Sequence, residues 1–278
     1  MELEELNLLV KEDKFEIDVE DEELENSPIV SALLKPINHD YIANDTLFVV
    51  VKALNDQVAQ NLPYLNLCGK SMLDWVLLAG NGCESKVIED GQVEEKIKNI
   101  QTDKKIIAVF YSDTPLLDRN TFIKIMDYFS YRNMNFLRLE RGFVVKTEYL
   151  KSAPDLYRMT SEFDDKNLMI IDSAKKLNLA HKVLQDRIRN FHVNNGVVLL
   201  GDQNIFIDCD VEIDKGVIIY PNNIIKGNTI IQSGAILFEG NIIEDSIVSN
   251  NTHLKCSYIE KSKVCGEIKN ENIINREV

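Results

Sequence analysis

Asp113 stands in Tyr111-Ser112-Asp113-Thr114-Pro115, directly after the apolar run KKIIAVFY at 104–111. That run predicts a buried strand. A carboxylate just past the C-terminal end of a parallel strand sits where open α/β sheets place ligands. Such a group can hold Mg²⁺ against phosphate oxygens, as nucleotidyl and phosphoryl transfer require. A turn-forming aspartate before Thr-Pro gives the same sequence, so both readings stand at this point. The other reactive side chains offer less. His39, His181, His192 and His253 have no Ser, Asp or metal partner at useful spacing, and His253, in NNTHLK, reads as an outward corner residue. Cys68, Cys83, Cys209, Cys256 and Cys265 form no CxxC pair. An odd, scattered set suits reduced thiols and a cytoplasmic protein.

The elements that must position Asp113 alternate in type. TLFVVVKAL (46–54) predicts a second buried strand, and Ser71 is a fair N-cap for a helix over Met72–Ala79. Phe122, Ile125, Met126 and Phe129 have helical spacing within 119–131, and FLRLERGFVVKTEYL predicts one or two strands and a helix start at Thr147. Strands alternating with helices imply a parallel α/β sheet. The best helix lies at 172–195, capped by Asp172 or Ser173, with Leu177, Ala180, Leu184, Ile188 and Phe191 on one face and Asn194-Asn195-Gly196 as its stop.

Beyond that helix the pattern changes. Ile207, Ile213, Ile219, Ile225, Ile231, Leu237 and Ile243 follow one another at intervals of six. A fixed hexapeptide period marks a solenoid whose units bury their apolar sides only by stacking, here a left-handed parallel β-helix. Ile205, Val211, Val217, Asn223, Thr229, Ala235 and Asn241, two positions earlier, point inward on the same strands. Val248, Leu254, Ile259 and Val264 continue with uneven gaps, for about four coils. The intervening outward positions include Ile218, Ile224, Ile230, Ile236 and Ile242. Isoleucines on every face of a coil imply a partner surface, and we expect three solenoids around a three-fold axis.

Four segments result: an acidic extension at 1–45, an α/β domain at 46–170, a connecting helix at 171–196 and the β-helix at 197–278. The net charge is −14, of which residues 1–25 carry −10. That segment is expected to be a solvated extension or a short added hairpin, with an arm for a basic partner as the functional alternative. It lacks the basic and apolar stretches of a signal peptide. An acidic chain without a basic stripe does not suit nucleic acid, and no apolar run is long enough to span a membrane.

This order of elements resembles the bifunctional bacterial family N-acetylglucosamine-1-phosphate uridylyltransferase/glucosamine-1-phosphate acetyltransferase. CGKSMLDWVL (68–77) is similar to that family's GKPM helix segment, and YSDTPLL (111–117) to its YGDVPLL metal loop. Residues 183–213 are similar to its connecting helix and first coil, and SYIEKSKV (257–264) to a later coil. The resemblance covers roughly residues 46–265. It implies a homotrimer, Mg²⁺, a nucleotide or sugar phosphate as ligand, and Asp113 as a metal ligand. Asp172 would be the counterpart of a second ligand, although the alignment needs a two-residue gap and helix capping explains Asp172 equally well.

The departures fall on the chemistry. The family's first strand runs into a Gly-rich loop with an arginine, then Leu-Pro-Lys. Here VVKALNDQV (50–58) puts Ala53 and Asn55 at the glycines, Gln57 at the arginine and Tyr64 at the lysine, while Asp56 adds a negative charge. Each lost charge-assisted phosphate contact costs roughly 1.5–3 kcal/mol, and only Lys52 is close enough to compensate. The base-reading segment and most of the sugar pocket have no counterpart, and the coils are too few for the acetyltransferase site. The expectation is a shortened, degenerate form acting as a binding, regulatory or assembly module. An active Mg²⁺-dependent nucleotidyltransferase is the alternative, and a hexapeptide acyltransferase a third.

Overall fold

The computed structural model describes residues 40–54, 58, 62–150, 152 and 163–278. The chain up to residue 39, with His39, and the loop residues Asn55, Asp56 and Gln57 lie outside the described residues.

The elements of the first half, in order, are α1 (Asp40–Asp45), β1 (Thr46–Lys52), β2 (Asn66–Leu67), β3 (Lys70–Ser71), α2 (Met72–Ala79), β4 (Glu84–Glu89), α3 (Val93–Lys98) and β5 (Ile106–Tyr111). There follow α4 (Arg119–Tyr131), β6 (Phe136–Arg138), β7 (Phe143–Lys146), α5 (Thr147–Leu150) and the long α6 (Ala174–Asn194). The main sheet has the order β4-β1-β5-β7-β6. β1 lies parallel to both β4 and β5. Its run TLFVVV is buried throughout, as a strand covered on both faces must be. Phe48, Phe110 and Phe122 pack between the sheet and α4, with centroids 5.0–5.8 Å apart. Val93 and Ile97 of α3 close the opposite face. Ile42 of α1, within the expected extension, is wholly buried in the α4-side core.

The sheet is mixed rather than wholly parallel. β7 runs antiparallel to β5, and β6 antiparallel to β7. The link 139–142 is far too short for a crossover, which needs a dozen residues or more, so β6 and β7 can only form a hairpin. Gly142 makes the turn at φ +105°, and a Cβ there would lie 2.1 Å from the Val109 carbonyl oxygen.

From Val198 onward, short strands stack as three parallel sheets of five, five and four strands. They form four full coils and two faces of a fifth of a left-handed parallel β-helix. Ile207, Ile219, Ile225, Ile231, Leu237 and Ile243 are fully buried, as are all seven residues two positions before the hexapeptide corners. Ile213, on the end strand of the four-stranded sheet, is only partly buried. The uneven gaps beyond Ile243 have a local cause. Five-residue corners turn on a single left-handed residue, namely Asp245 (φ 47°), Cys256 (φ 50°) and Lys261 (φ 47°). Val248, Leu254, Ile259 and Val264 stay buried, and Ile268 and Ile273 extend the row.

α6 joins the two halves. Ser173, not Asp172, caps it, accepting from the Lys176 N–H at 3.4 Å. Ala180, Leu184 and Ile188 face the core, while Leu177 and Phe191 are partly buried against it. Gln185 completes the edge of the first coil: its Nε2 donates to the Ile207 carbonyl at 2.9 Å and its Oε1 accepts from the Ile207 N–H at 3.2 Å. Arg189 donates to the Ile205 carbonyl at 3.1 Å.

His192, one turn later, is 2% exposed, and its Nε2 finds no partner among the described residues. Burial lowers its pKa from 6.5 to about 4. Below the ordinary value the unfolded chain takes up a proton that the folded chain refuses. Stability should therefore fall as pH drops through this window, by about 3 kcal/mol from this group at pH 4. Urea titrations across that range should show the loss, and His192→Leu should remove about one proton from the pH slope.

Candidate functional site

The chain passes from β1 to β4 on one side and then to β5 on the other, so the order of strands reverses at the C-terminal ends of β1 and β5. A crevice at such a switch point is where ligands bind in open α/β sheets. The two strand ends are stitched together. Ser112 N–H donates to the Val51 carbonyl at 2.9 Å, and Ala53 N–H donates to Ser112 Oγ at 2.9 Å. Ala53 is fully buried at that joint. Thr114 closes the turn by donating to the Tyr111 carbonyl at 2.8 Å.

Asp113 lies beside this joint with its side chain 6% exposed. Both carboxylate oxygens are engaged by Arg141, with Nη2 3.0 Å from Oδ2 and Nε 3.3 Å from Oδ1. The guanidinium carbon sits 4.1 Å from the centre of the Tyr111 ring. Burial pushes the Asp113 carboxyl pKa up, and the Arg141 charge draws it back. A cavity of 160 Å³ opens alongside, walled by Tyr111, Phe136, Arg138, Glu140 and Arg141 among others. Nothing in the chain pattern pointed to Arg141, because the partner of Asp113 comes from the turn of a hairpin 28 residues on.

The structure does bring the Asp172 segment to Asp113. Ile171 N–H donates to the Asp113 carbonyl at 2.8 Å. The Asp172 carboxylate, 53% exposed, is nevertheless taken by Lys176 at 2.7 Å. The hydrogen bond from Lys176 holds its carboxyl below the usual range. Lys52, the cation that could have compensated the phosphate loop, is bound to Glu89 at 2.7 Å and lies 5.5 Å from the centre of the Tyr64 ring. Glu89 foremost, then Tyr64, raises the lysine pKa. Tyr64 itself is 57% exposed. Asn55 and Gln57 lie outside the described residues.

Mg²⁺ does not fit this donor set. It is usually held through one or two protein carboxylates, with waters and substrate phosphates completing its six oxygens, and here each of the two expected carboxylates is matched to a protein cation. Among the described residues no group of three His, Cys, Asp or Glu side chains could hold a metal ion.

The pieces around the crevice serve as joints. Arg187 of α6 donates to the Leu116 carbonyl at 3.0 Å and to Asn167 Oδ1 at 2.8 Å, tying the helix to the Asp113 loop. Lys70 of the β2–β3 hairpin pairs with Asp210 of the first coil at 2.9 Å, and Cys209 N–H donates to the Cys68 carbonyl at 3.0 Å. The GKS segment thus docks the solenoid onto the sheet. His253 faces outward on its coil with the Phe238 ring 6.2 Å away.

The fold and crevice are those of a nucleotidyltransferase-like sheet followed by a left-handed β-helix. In sequence the chain resembles proteins described as bifunctional protein GlmU. It is 31% identical to that of Caldicellulosiruptor saccharolyticus over 68% of this chain and 39% of the relative. To that of Clostridium botulinum it is 36% identical over 42% of this chain and 26% of the relative. To that of Bacillus velezensis it is 23% identical over 65% and 39%. The chain therefore spans between a quarter and two fifths of the length of these curated relatives. No family model matches it.

Proposed function

We propose that this protein is a degenerate relative of the sugar-phosphate nucleotidyltransferases that works as a binding, regulatory or assembly module rather than as a catalyst. One observation carries the reading: the charged groups expected at the crevice are consumed by internal pairs, Lys52–Glu89, Asp113–Arg141 and Asp172–Lys176. Nucleotidyl transfer depends on cations placed to stabilise the transferring oxygens, and these cations are matched to carboxylates of the protein itself. The ligand class is a nucleotide or sugar phosphate, and the setting is the cytoplasm, which suits five free cysteines. No helix among the described residues is long and apolar enough to cross a membrane. The working units are the acidic extension 1–45, the sheet domain 46–170, the connecting helix 171–196 and the β-helix 197–278, assembled as a homotrimer through the solenoid.

Incubation with UTP, N-acetylglucosamine 1-phosphate and Mg²⁺ should give no UDP-sugar above background. One lost transition-state contact typically costs ~10²–10³ in rate, and several are missing here. Turnover that Asp113→Ala abolishes would sink the reading in favour of an active nucleotidyltransferase. UTP binding without turnover would mark a sensor, and no binding a trimeric scaffold.

A further inference from the structure

Asp113–Arg141 is not an ordinary surface ion pair. The carboxylate is almost fully buried while the arginine is 34% exposed. Three constraints converge on the guanidinium. The two-point contact with Asp113 fixes its plane, the Tyr111 ring lies against it, and Arg141 sits in the tight β6–β7 link. Gly142, its neighbour, packs so closely on Val109 that the link has little room to shift. A guanidinium cannot give up its proton in a protein, so the positive charge is permanent.

A divalent ion at Asp113 would have to displace Arg141. That would strand a fixed positive charge beside a dication, at a carboxylate with almost no access to water. Asp172, the only other expected ligand, is drawn away by Lys176. We propose that Arg141 is a built-in substitute for the divalent cation at the end of β5: it neutralises Asp113, keeps metal out of the crevice, and makes ligand binding there independent of Mg²⁺. The proposal rests on the reading of this crevice as the remnant of a nucleotide site.

The test is Mn²⁺ binding to the full-length protein, followed by electron paramagnetic resonance, with thermal melts to confirm folding. Wild type should show no saturable binding that Asp113→Asn removes. Arg141→Met should free the carboxylate and show saturable Mn²⁺ binding that wild type lacks. Adding Asp113→Asn to Arg141→Met should cancel that gain. Wild-type binding that depends on Asp113 overturns the proposal, as does a folded Arg141→Met protein that gains nothing. Should Arg141→Met fail to fold, Arg141→Gln takes its place, with the same gain expected and the same lack of gain overturning the proposal. A wild type that binds Mn²⁺ through Asp113 yet makes no UDP-sugar would overturn this inference and leave the degenerate reading intact.

Discussion

Ile224→Glu combined with Ile242→Glu should break the proposed trimer into monomers. The two residues are direct partners on adjacent coils of one face. That face carries the longest apolar ladder of the solenoid: Phe206, Ile224, Ile242 and Tyr258 in register. Of the other two, one begins at Glu212 and reaches Lys263 after Ile230 and Ile247, and the other runs through Val198, Ile218 and Ile236 before turning polar at His253 and Glu267. Stacking leaves the isoleucines half-buried, while Phe206 is still 41% exposed. Burying an isoleucine is worth about 1.5–3 kcal/mol, and the loss recurs in every protomer of a symmetric assembly. Two glutamates per chain would also have to be desolvated against one another. Sedimentation at micromolar concentration should show the mass of three chains for wild type and of one for the double variant. Glu212→Ala, on the four-stranded face, should leave the trimer whole. A wild-type protein that sediments as a monomer would show that the ladder is covered by something other than two more copies.

The solenoid was legible because its signal is repetitive. Each hexapeptide restates the same inward and outward assignment, so a single ambiguous residue such as Ile213 does not disturb the frame. The sheet was legible where both faces of a strand are covered, as in TLFVVV and IIAVFY. β4 escaped notice because it is an edge strand with almost no buried side chain, and its ESKVIE carries no periodic signal. The antiparallel hairpin was hidden in a strand pattern that does not record direction; only the shortness of the 139–142 link does. The site was half legible. Asp113 stands where the pattern put it, but Arg141, which decides what Asp113 can do, comes from another element and has no local signature. The same holds for Gln185, Arg189 and His192, polar residues on the buried side of α6: Gln185 and Arg189 reach backbone groups of the first coil, and the His192 Nε2 has no hydrogen-bond partner among the described residues.

Asn241→Leu should be among the most destabilising single changes in the chain, although it replaces a polar residue by an apolar one of similar size at a fully buried position. Asn223 and Asn241 stack as an amide ladder inside the solenoid. Asn241 Nδ2 donates to Asn223 Oδ1 at 2.8 Å and to the Phe238 carbonyl at 2.7 Å, and Asn241 Oδ1 accepts from the Ser257 N–H at 3.1 Å. Leucine would leave the Ser257 N–H without that partner, away from water, and would take one hydrogen bond each from the Phe238 carbonyl and Asn223 Oδ1, which keep the Asn223 amide and the Asn241 N–H as their remaining donors. The unsatisfied buried N–H costs about 1–3 kcal/mol and each of the two lost hydrogen bonds about 1 more, for a total of roughly 4 kcal/mol. Against a typical domain stability of about 5–15 kcal/mol this is a large fraction. Thr252 supplies the control. It is equally buried, and its Oγ1 has no hydrogen-bond partner among the described residues. Thr252→Val removes a hydroxyl that gains nothing from burial and should be neutral or slightly stabilising. Urea unfolding of both variants decides the matter. If Asn241→Leu shifts the midpoint no further than Thr252→Val, the coils are held by aliphatic packing alone and the amide ladder is incidental. A large shift for Asn241→Leu alone would mean that the polar residues inside this β-helix hold one coil to the next through their side-chain amides.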